Sequence, residues 1–315
     1  MRKLLIILIM AIGILVSCSE ESFIPINEHQ PFVASMNILE PSLTFYNKEG
    51  ELLATWRFNK AYTGATLIQQ DRILLYGNQL SKADVYELST GKRIATFETG
   101  LGTTNAYYAE DEQLFFLTNS KTNSLTSFDI YGHLKAEISL HNYPMSMIAH
   151  NGLLYVVNYK DTRLSIVSMK DFKIVDEWPI EKLSHGLAIV DDTLWIGGHG
   201  AGSSPNQMVA VHDLKTGQIV KELAMPLMPV GFAQSKDEIA IVSHGENLLY
   251  VTNNHGQLKW QSEIGANPFA VAYFNNQIIV AGYDDQTLYV VENGEVIQKI
   301  GTDKGPFQLL VRGNS

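Results

Sequence analysis

Gly186-Leu-Ala-Ile-Val190, Thr193-Leu-Trp-Ile-Gly197, Met208-Val-Ala-Val-His212 and Gln218-Ile-Val-Lys-Glu-Leu223 follow one another, joined by polar, glycine-bearing links. These runs are five or six residues long and rich in branched and aromatic residues. That is the length and composition of β-strands, and no amphipathic helical pattern competes with them. The same order of four runs recurs along the chain. Its second member reads Arg72-Ile-Leu-Leu-Tyr76, Gln113-Leu-Phe-Phe-Leu117, Leu153-Leu-Tyr-Val-Val157, Thr193-Leu-Trp-Ile-Gly197, Glu238-Ile-Ala-Ile-Val242 and Gln277-Ile-Ile-Val-Ala281. Aligned on Leu74, Leu114, Leu154, Leu194, Ile239 and Ile278, the spacings are 40, 40, 40, 45 and 39. Four strands repeated at that period make the blade of a β-propeller.

Between the third and fourth runs a glycine recurs at Gly50, Gly91, Gly132, Gly217, Gly256 and Gly294. Tight hairpins need positive φ, which glycine adopts without steric cost. One unit departs, reading Lys170-Asp171-Phe172-Lys173 at this place. Six complete units run from about Gly64 to Asp303, and three strands precede them at Phe32-Val-Ala-Ser-Met36, Leu43-Thr-Phe-Tyr46 and Glu51-Leu-Leu-Ala-Thr-Trp-Arg57. One strand, Pro306-Phe-Gln-Leu-Leu-Val-Arg312, follows them. Three plus one completes a seventh blade with the C-terminal strand innermost, which closes the ring and removes open sheet edges. The expectation is an all-β, seven-bladed β-propeller of four-stranded blades over residues 32–315, one domain.

The chain has 315 residues, a formal charge of -10 and one cysteine. A lone cysteine excludes an internal disulfide and a multi-cysteine metal cluster, and the acidic balance excludes a phosphate-neutralising surface, so no nucleic-acid partner is expected. Met1-Arg2-Lys3 precedes an apolar run from Leu4 to Val16 that is too short to span a bilayer but has signal-peptide length. Leu15-Val16-Ser17-Cys18 resembles the lipobox of bacterial lipoproteins, which implies cleavage before Cys18 and a diacylglycerol on its thiol. An ordinary secretory signal is the alternative reading. On the lipoprotein reading, residues 1–17 are the signal peptide and 18–31, polar and proline-bearing, are a tether. The mature charge deepens to -12 as Arg2 and Lys3 are lost. The protein is then expected outside the cytoplasm, held by its lipid at the cell membrane or outer membrane as a monomer.

Asp213-Leu-Lys-Thr-Gly-Gln-Ile-Val220 and Glu87-Leu-Ser-Thr-Gly-Lys-Arg-Ile94 resemble the repeat of bacterial seven-bladed propellers of the YVTN type, which is similar to quinoprotein-like propeller repeats. The resemblance covers nearly all of residues 32–312 and its motifs specify turns and strands. It implies binding or scaffolding more than a reaction. Quinoprotein dehydrogenases carry vicinal cysteines and eight blades, neither of which this sequence has.

Innermost strands start at one face, the top, where Pro144, Pro229, Pro268 and Pro306 open them. Second strands end on that same face at Asn78, Asn119, Asn158-Tyr159, His199, His244 and Tyr283-Asp284. His141 and His185 flank the starts of innermost strands there. The candidate ligand-binding set is therefore His185, His199, His244, Glu246, Asn119, Asn158, Tyr159, Tyr283 and Asp284. Three imidazoles near Glu246 or Asp284 would suit a transition metal, with His185, His199 and His244 as candidate ligands, but no close His pair fixes a bite angle and no cofactor is expected. The longest insertion, Gly197–Gln207, lies beside them and reads as a mobile lip. No helix follows its glycines, which excludes a dinucleotide loop, and no nucleophile elbow is present. Trp56, Trp178, Trp195 and Trp260 read as aromatics packed between blades.

The leading functional reading is a lipid-anchored binding or scaffold module for an envelope protein or small polar ligand. The alternatives are a metal-dependent top-face hydrolase or lyase, resembling seven-bladed lactone-opening enzymes, and an assembly scaffold similar to the lipoprotein propeller of the outer-membrane barrel-insertion machinery. That last family has eight blades.

Overall fold

The computed structural model describes residues 21–313, so the expected signal peptide and Cys18 lie outside the described residues. Seven four-stranded antiparallel sheets and one two-stranded hairpin account for the strands, and the described residues contain no helix. Blade 1 joins Phe32–Asn37, Ser42–Tyr46 and Leu52–Arg57 to the C-terminal strand Pro306–Arg312. Blades 2 to 7 follow in chain order, their innermost strands being Gly64–Ile68, Thr103–Ala109, Pro144–His150, Ser184–Val190, Pro229–Gln234 and Pro268–Phe274. The closing pair runs antiparallel with Val33 opposite Val311 and Ala34 opposite Leu310. Each innermost strand lies beside those of the two adjacent blades, so the ring is complete. The all-β, seven-bladed expectation therefore holds, closure included.

A blade is apolar on both faces and has no partner of its own; its neighbours supply the cover. The core is accordingly seven clusters, each built from two consecutive blades. Leu74, Val85 and Phe97 of blade 2 meet Phe115 and Leu117 of blade 3, for example. Trp56, Trp195 and Trp178 are almost fully buried in these seams, and Trp260 packs against the seam of blades 6 and 7.

The six hairpin glycines all have φ between +66° and +86°. Four of them also leave room for the preceding blade. A Cβ on Gly217 of blade 5 would overlap the indole of Trp178 of blade 4. That indole lies flat on His212, ring centroids 5.9 Å apart, and His212 donates its Nδ1–H to Gly217 O at 3.0 Å. Gly132 receives Phe97, Gly256 receives Leu223 and Gly50 receives Ile300 in the same way. The exceptional hairpin of blade 4 works in reverse: Phe172, at φ +46°, packs back onto the blade 3 cluster against Phe116.

The seam between blades 1 and 2 corrects one expectation. Residues 22–31, read as tether, are docked along it. Phe23 N–H donates to Gly91 O at 2.9 Å and Ile26 N–H to Leu88 O at 2.8 Å. The Phe23 ring stacks on Trp56 at 5.0 Å, and Trp56 Nε1–H donates to Ile24 O at 2.8 Å. Arg312 donates to the carbonyls of Gln30, Gln70 and Asn27, fastening the same segment to the closing strand. Polar, proline-bearing composition concealed Phe23 and Ile26, whose apolar side chains have a seam to fill. The folded body thus begins ten residues earlier than the first strand, Phe32–Asn37.

The glycine sockets can be ranked by substitution. Gly217→Ala combines left-handed strain with overpacking against Trp178 and should cost on the order of 3 kcal/mol. Gly294→Ala, where the nearest Trp260 atom would lie at an ordinary 3.5 Å, should cost only about 1 kcal/mol. Urea unfolding of the two variants measures the difference, and equal losses would remove the socket from the account.

Candidate functional site

Innermost strands run from top to bottom, and six of the seven begin with a register shift against their neighbour. Such a bulge adds one residue and re-aims its side chain. Blade 2, paired regularly from Gly64 onward, lacks it. The residues just before these strands take left-handed backbone: Tyr143 at φ +63°, Leu183 at +62°, Met228 at +60° and Asn267 at +57°. For bulky residues this conformation costs about 1 kcal/mol or more. Its concentration in blades 4 to 6 places stored strain beside the channel mouth, as at many functional sites.

The innermost strands of blades 1, 4, 5, 6 and 7 enclose a cavity of about 260 Å³ in the central channel, lined among others by Met147, His185, Phe232, Phe269 and Phe307. Above it, aromatic and imidazole rings follow one another around the mouth. Tyr143 and Tyr159 of blade 4 are 6.1 Å apart, and the Tyr159 ring is 6.1 Å from His199 of blade 5. His199 sits edge to face with His185 at 6.0 Å and with His244 of blade 6 at 5.5 Å. His244 lies 4.4 Å from Phe269 of blade 7, which reaches Tyr283 at 5.6 Å and Phe307 of blade 1 at 5.3 Å. The arc covers five of the seven blades. Lys160 caps one end, its Nζ 4.2 Å from the Tyr143 centroid.

The imidazoles are held neutral. Burial pushes His199 down to about 4, and mutual repulsion with His185 and His244 adds to the effect. Burial likewise lowers His185 and His244, although Asp284 pulls His244 partly back. His185 Nδ1 must carry its proton, because it donates to Val230 O at 3.2 Å, which leaves Nε2 as a bare acceptor. The Tyr159 hydroxyl lies 3.4 Å from His199 Nδ1. His244 Nδ1 is buried without a hydrogen-bond partner. The mouth therefore offers flat apolar faces and a few uncharged donors and acceptors.

Of the nine candidates, the structure brings together His185, His199, His244, Tyr159 and Tyr283, with Asp284 close enough to act on His244. His185 and His199 share blade 5 and His244 lies in blade 6. Three candidates have other work or another place. Asn119 Oδ1 accepts from the backbone of Lys121 and Thr122, locking its turn. Asn158 is fully buried and donates to Arg163 O and Ser165 Oγ, each at 3.0 Å. Glu246 is exposed over a separate cleft with Glu263, Asp285 and Lys299. His141 is bound to Glu177 on the outer strand of its blade and stands apart from the arc. The three candidate metal ligands meet edge to face through His199; among the described residues no group of three His, Cys, Asp or Glu is disposed to hold a metal ion.

The expected lip is an ordered hairpin, Gly200–Ala201 pairing with Ser204–Pro205, rooted where Asn206 N–H donates to His199 O at 2.9 Å. Phe269, Phe307 and Tyr143 complete the mouth and lie outside the mainly polar candidate set. The available signal was an aromatic immediately after or before the proline that opens an innermost strand: Pro268-Phe269, Pro306-Phe307 and Tyr143-Pro144.

No protein-family model matches the chain, and no curated protein matches its sequence. Among solved structures it is similar to a functionally unknown protein from Desulfotomaculum acetoxidans, with a TM-score of 0.75, 10% identity and coverage of 89% of this chain and 98% of that one. It is also similar to apo AztD from Citrobacter koseri, with a TM-score of 0.63, 11% identity and coverage of 91% and 98%. Virginiamycin B lyase from Staphylococcus aureus matches with a TM-score of 0.65 at 16% identity, covering 78% and 87%. At these identities the likeness is one of fold.

The low imidazole values carry a pH signature. In the unfolded chain a histidine gains its proton near pH 6.5, whereas folded His199 does so only near 4. Stability should therefore fall as pH drops from about 6.5 towards about 4 and level off below. NMR titration of the His199 ring checks the midpoint, and His199→Gln should flatten part of the unfolding profile over this window.

Proposed function

We propose that the protein is a lipid-anchored binding module of the cell envelope whose channel mouth takes a small, uncharged polar ligand with at least one ring face able to stack, such as the C–H face of a saccharide or an aromatic peptide side chain. The observation that carries this reading is the unbroken arc from Tyr143 to Phe307 over the 260 Å³ cavity. Ring faces stack on ring faces, and the neutral His185, His199, Tyr159 and Tyr283 provide orienting hydrogen bonds. The two charges beside these rings, Lys160 at one end and Asp284 near His244, are of opposite sign, so the arc as a whole favours neither an anion nor a cation. The envelope location and the anchor rest on the lipobox-like Leu15-Val16-Ser17-Cys18.

The fold neighbours include a lyase, and a top-face hydrolase or lyase would use the same mouth. The electrostatics favour binding: an imidazole that takes its proton only near pH 4 is a poor general base at neutral pH, where base efficiency peaks for groups titrating near the working pH. Two probes test the proposal, the N-acetylglucosamine trimer and the tripeptide Gly-Tyr-Gly, each followed by saturation-transfer NMR. At least one should receive saturation at its ring protons. Phe269→Ala and His199→Ala should weaken that probe about tenfold, the equivalent of about 1.4 kcal/mol. Glu246→Ala should leave it unchanged, as should a chelator. No transfer to either probe, or an equal loss in Glu246→Ala, would overturn the assignment.

A further inference from the structure

We infer that the protein rests on its membrane by the outer edge of blades 1 and 2, with the channel mouth turned away from the bilayer. The inference rests on the reading of Cys18 as the lipid acceptor, and it adds an orientation that the anchor alone does not provide.

The docked N-terminal segment sets the exit point. Ser22 pairs with Lys92 at the start of the outermost strand of blade 2, and Phe23 is bonded to the hairpin glycine Gly91. This hairpin belongs to the face opposite the mouth: Ser89 donates its N–H to the Asp71 carboxylate at 2.8 Å, and Asp71 sits in the turn at the bottom of the innermost strand. Only Ser19, Glu20 and Glu21 separate Ser22 from Cys18, so the two ends of this stretch lie at most about 14 Å apart. An innermost strand of six or seven residues alone rises about 20 Å. A mouth pressed to the membrane would require Phe23 and Ile26 to leave their seam.

The edge at the exit point carries exposed apolar side chains among its charged ones. Ile24 and Leu52 are each 60% exposed, and Ile94, on the outermost strand of blade 2, is 45% exposed. Flat landing on the whole bottom face is opposed by charge, since Glu110-Asp111-Glu112 of blade 3 and Asp191-Asp192 of blade 5 occupy its turns. Carboxylates there are repelled by anionic headgroups, and the exit point at the Gly91 hairpin fixes which side stays down, so blades 1 and 2 bear the contact and the far side lifts. The occupant of this edge is a lipid surface.

The sole cysteine, once thioether-linked, is inert to maleimides, so single labels can be introduced elsewhere. Ile94→Cys marks the proposed contact. Val220→Cys marks the equivalent rim of blade 5 across the ring, itself 60% exposed, and Ser203→Cys marks the hairpin at the mouth. Each full-length, membrane-extracted variant is coupled to a fluorophore and reconstituted into phosphatidylethanolamine–phosphatidylglycerol vesicles carrying a nitroxide headgroup. The Ile94 label should lose most of its emission, and the other two should keep most of theirs. Equal loss at Ile94 and Val220 would mean flat landing, and the largest loss at Ser203 would mean an inverted ring; either overturns the inference. The mass of the N-terminal peptide from the same samples separates the two levels. A diacylated Cys18 with the wrong quenching pattern refutes the orientation alone, whereas an unmodified Cys18 refutes the anchor as well.

Discussion

The fit of a large side chain from one blade into the hairpin of the next, made at four of the seven seams, is the interaction on which the ring depends. A four-stranded blade buries neither of its faces by itself, so its stability is borrowed from two neighbours. Close approach of neighbouring sheets at their outer ends requires a hairpin without a side chain on the near face, and the left-handed glycines supply it. Trp178, stacked on His212 and seated over Gly217, has the most complete socket: an apolar face, an aromatic partner and a backbone carbonyl held by that partner. Each seam is one of a closed series, so the last can form only when the C-terminal strand completes blade 1.

The seam between blades 1 and 2 differs because an extra segment enters it. Trp56 is covered by Phe23 rather than by a bare hairpin, and the Gly91 cavity receives Phe23 backbone. The same insertion joins stability to position. Buried contacts of Phe23 and Ile26 hold the start of the body to one place on the ring, so the chain leaves the ring at a defined point.

Strain and polarity are arranged around the mouth with the same economy. Bulges at the starts of innermost strands turn His185, Phe269 and Phe307 towards the channel, and left-handed Tyr143, Leu183 and Met228 hold the preceding turns. Packed together away from water, the imidazoles lose their basicity and behave as aromatic rings with hydrogen-bonding edges. The local environment, more than the residue type, decides that this mouth presents neutral rings.

The sequence alone determined the blade number, the closure and the hairpins, because these follow from period, strand composition and the need for positive φ, all of which are local along the chain. It also placed His185, His199, His244, Tyr159 and Tyr283 on one face, since strand direction alternates predictably. Only the tertiary structure decided which of them meet. Asn119 and Asn158 turned out to lock their own loops, Glu246 faces another cleft, and Phe269 and Phe307 complete the arc although their sequence reads as ordinary core. Phe23 and Ile26 looked like part of a tether for the same reason. Whether an apolar side chain is exposed, packed or part of a site depends on which distant surface reaches it. Closure of the ring, which brings residues hundreds of positions apart into one seam, is what supplies that surface.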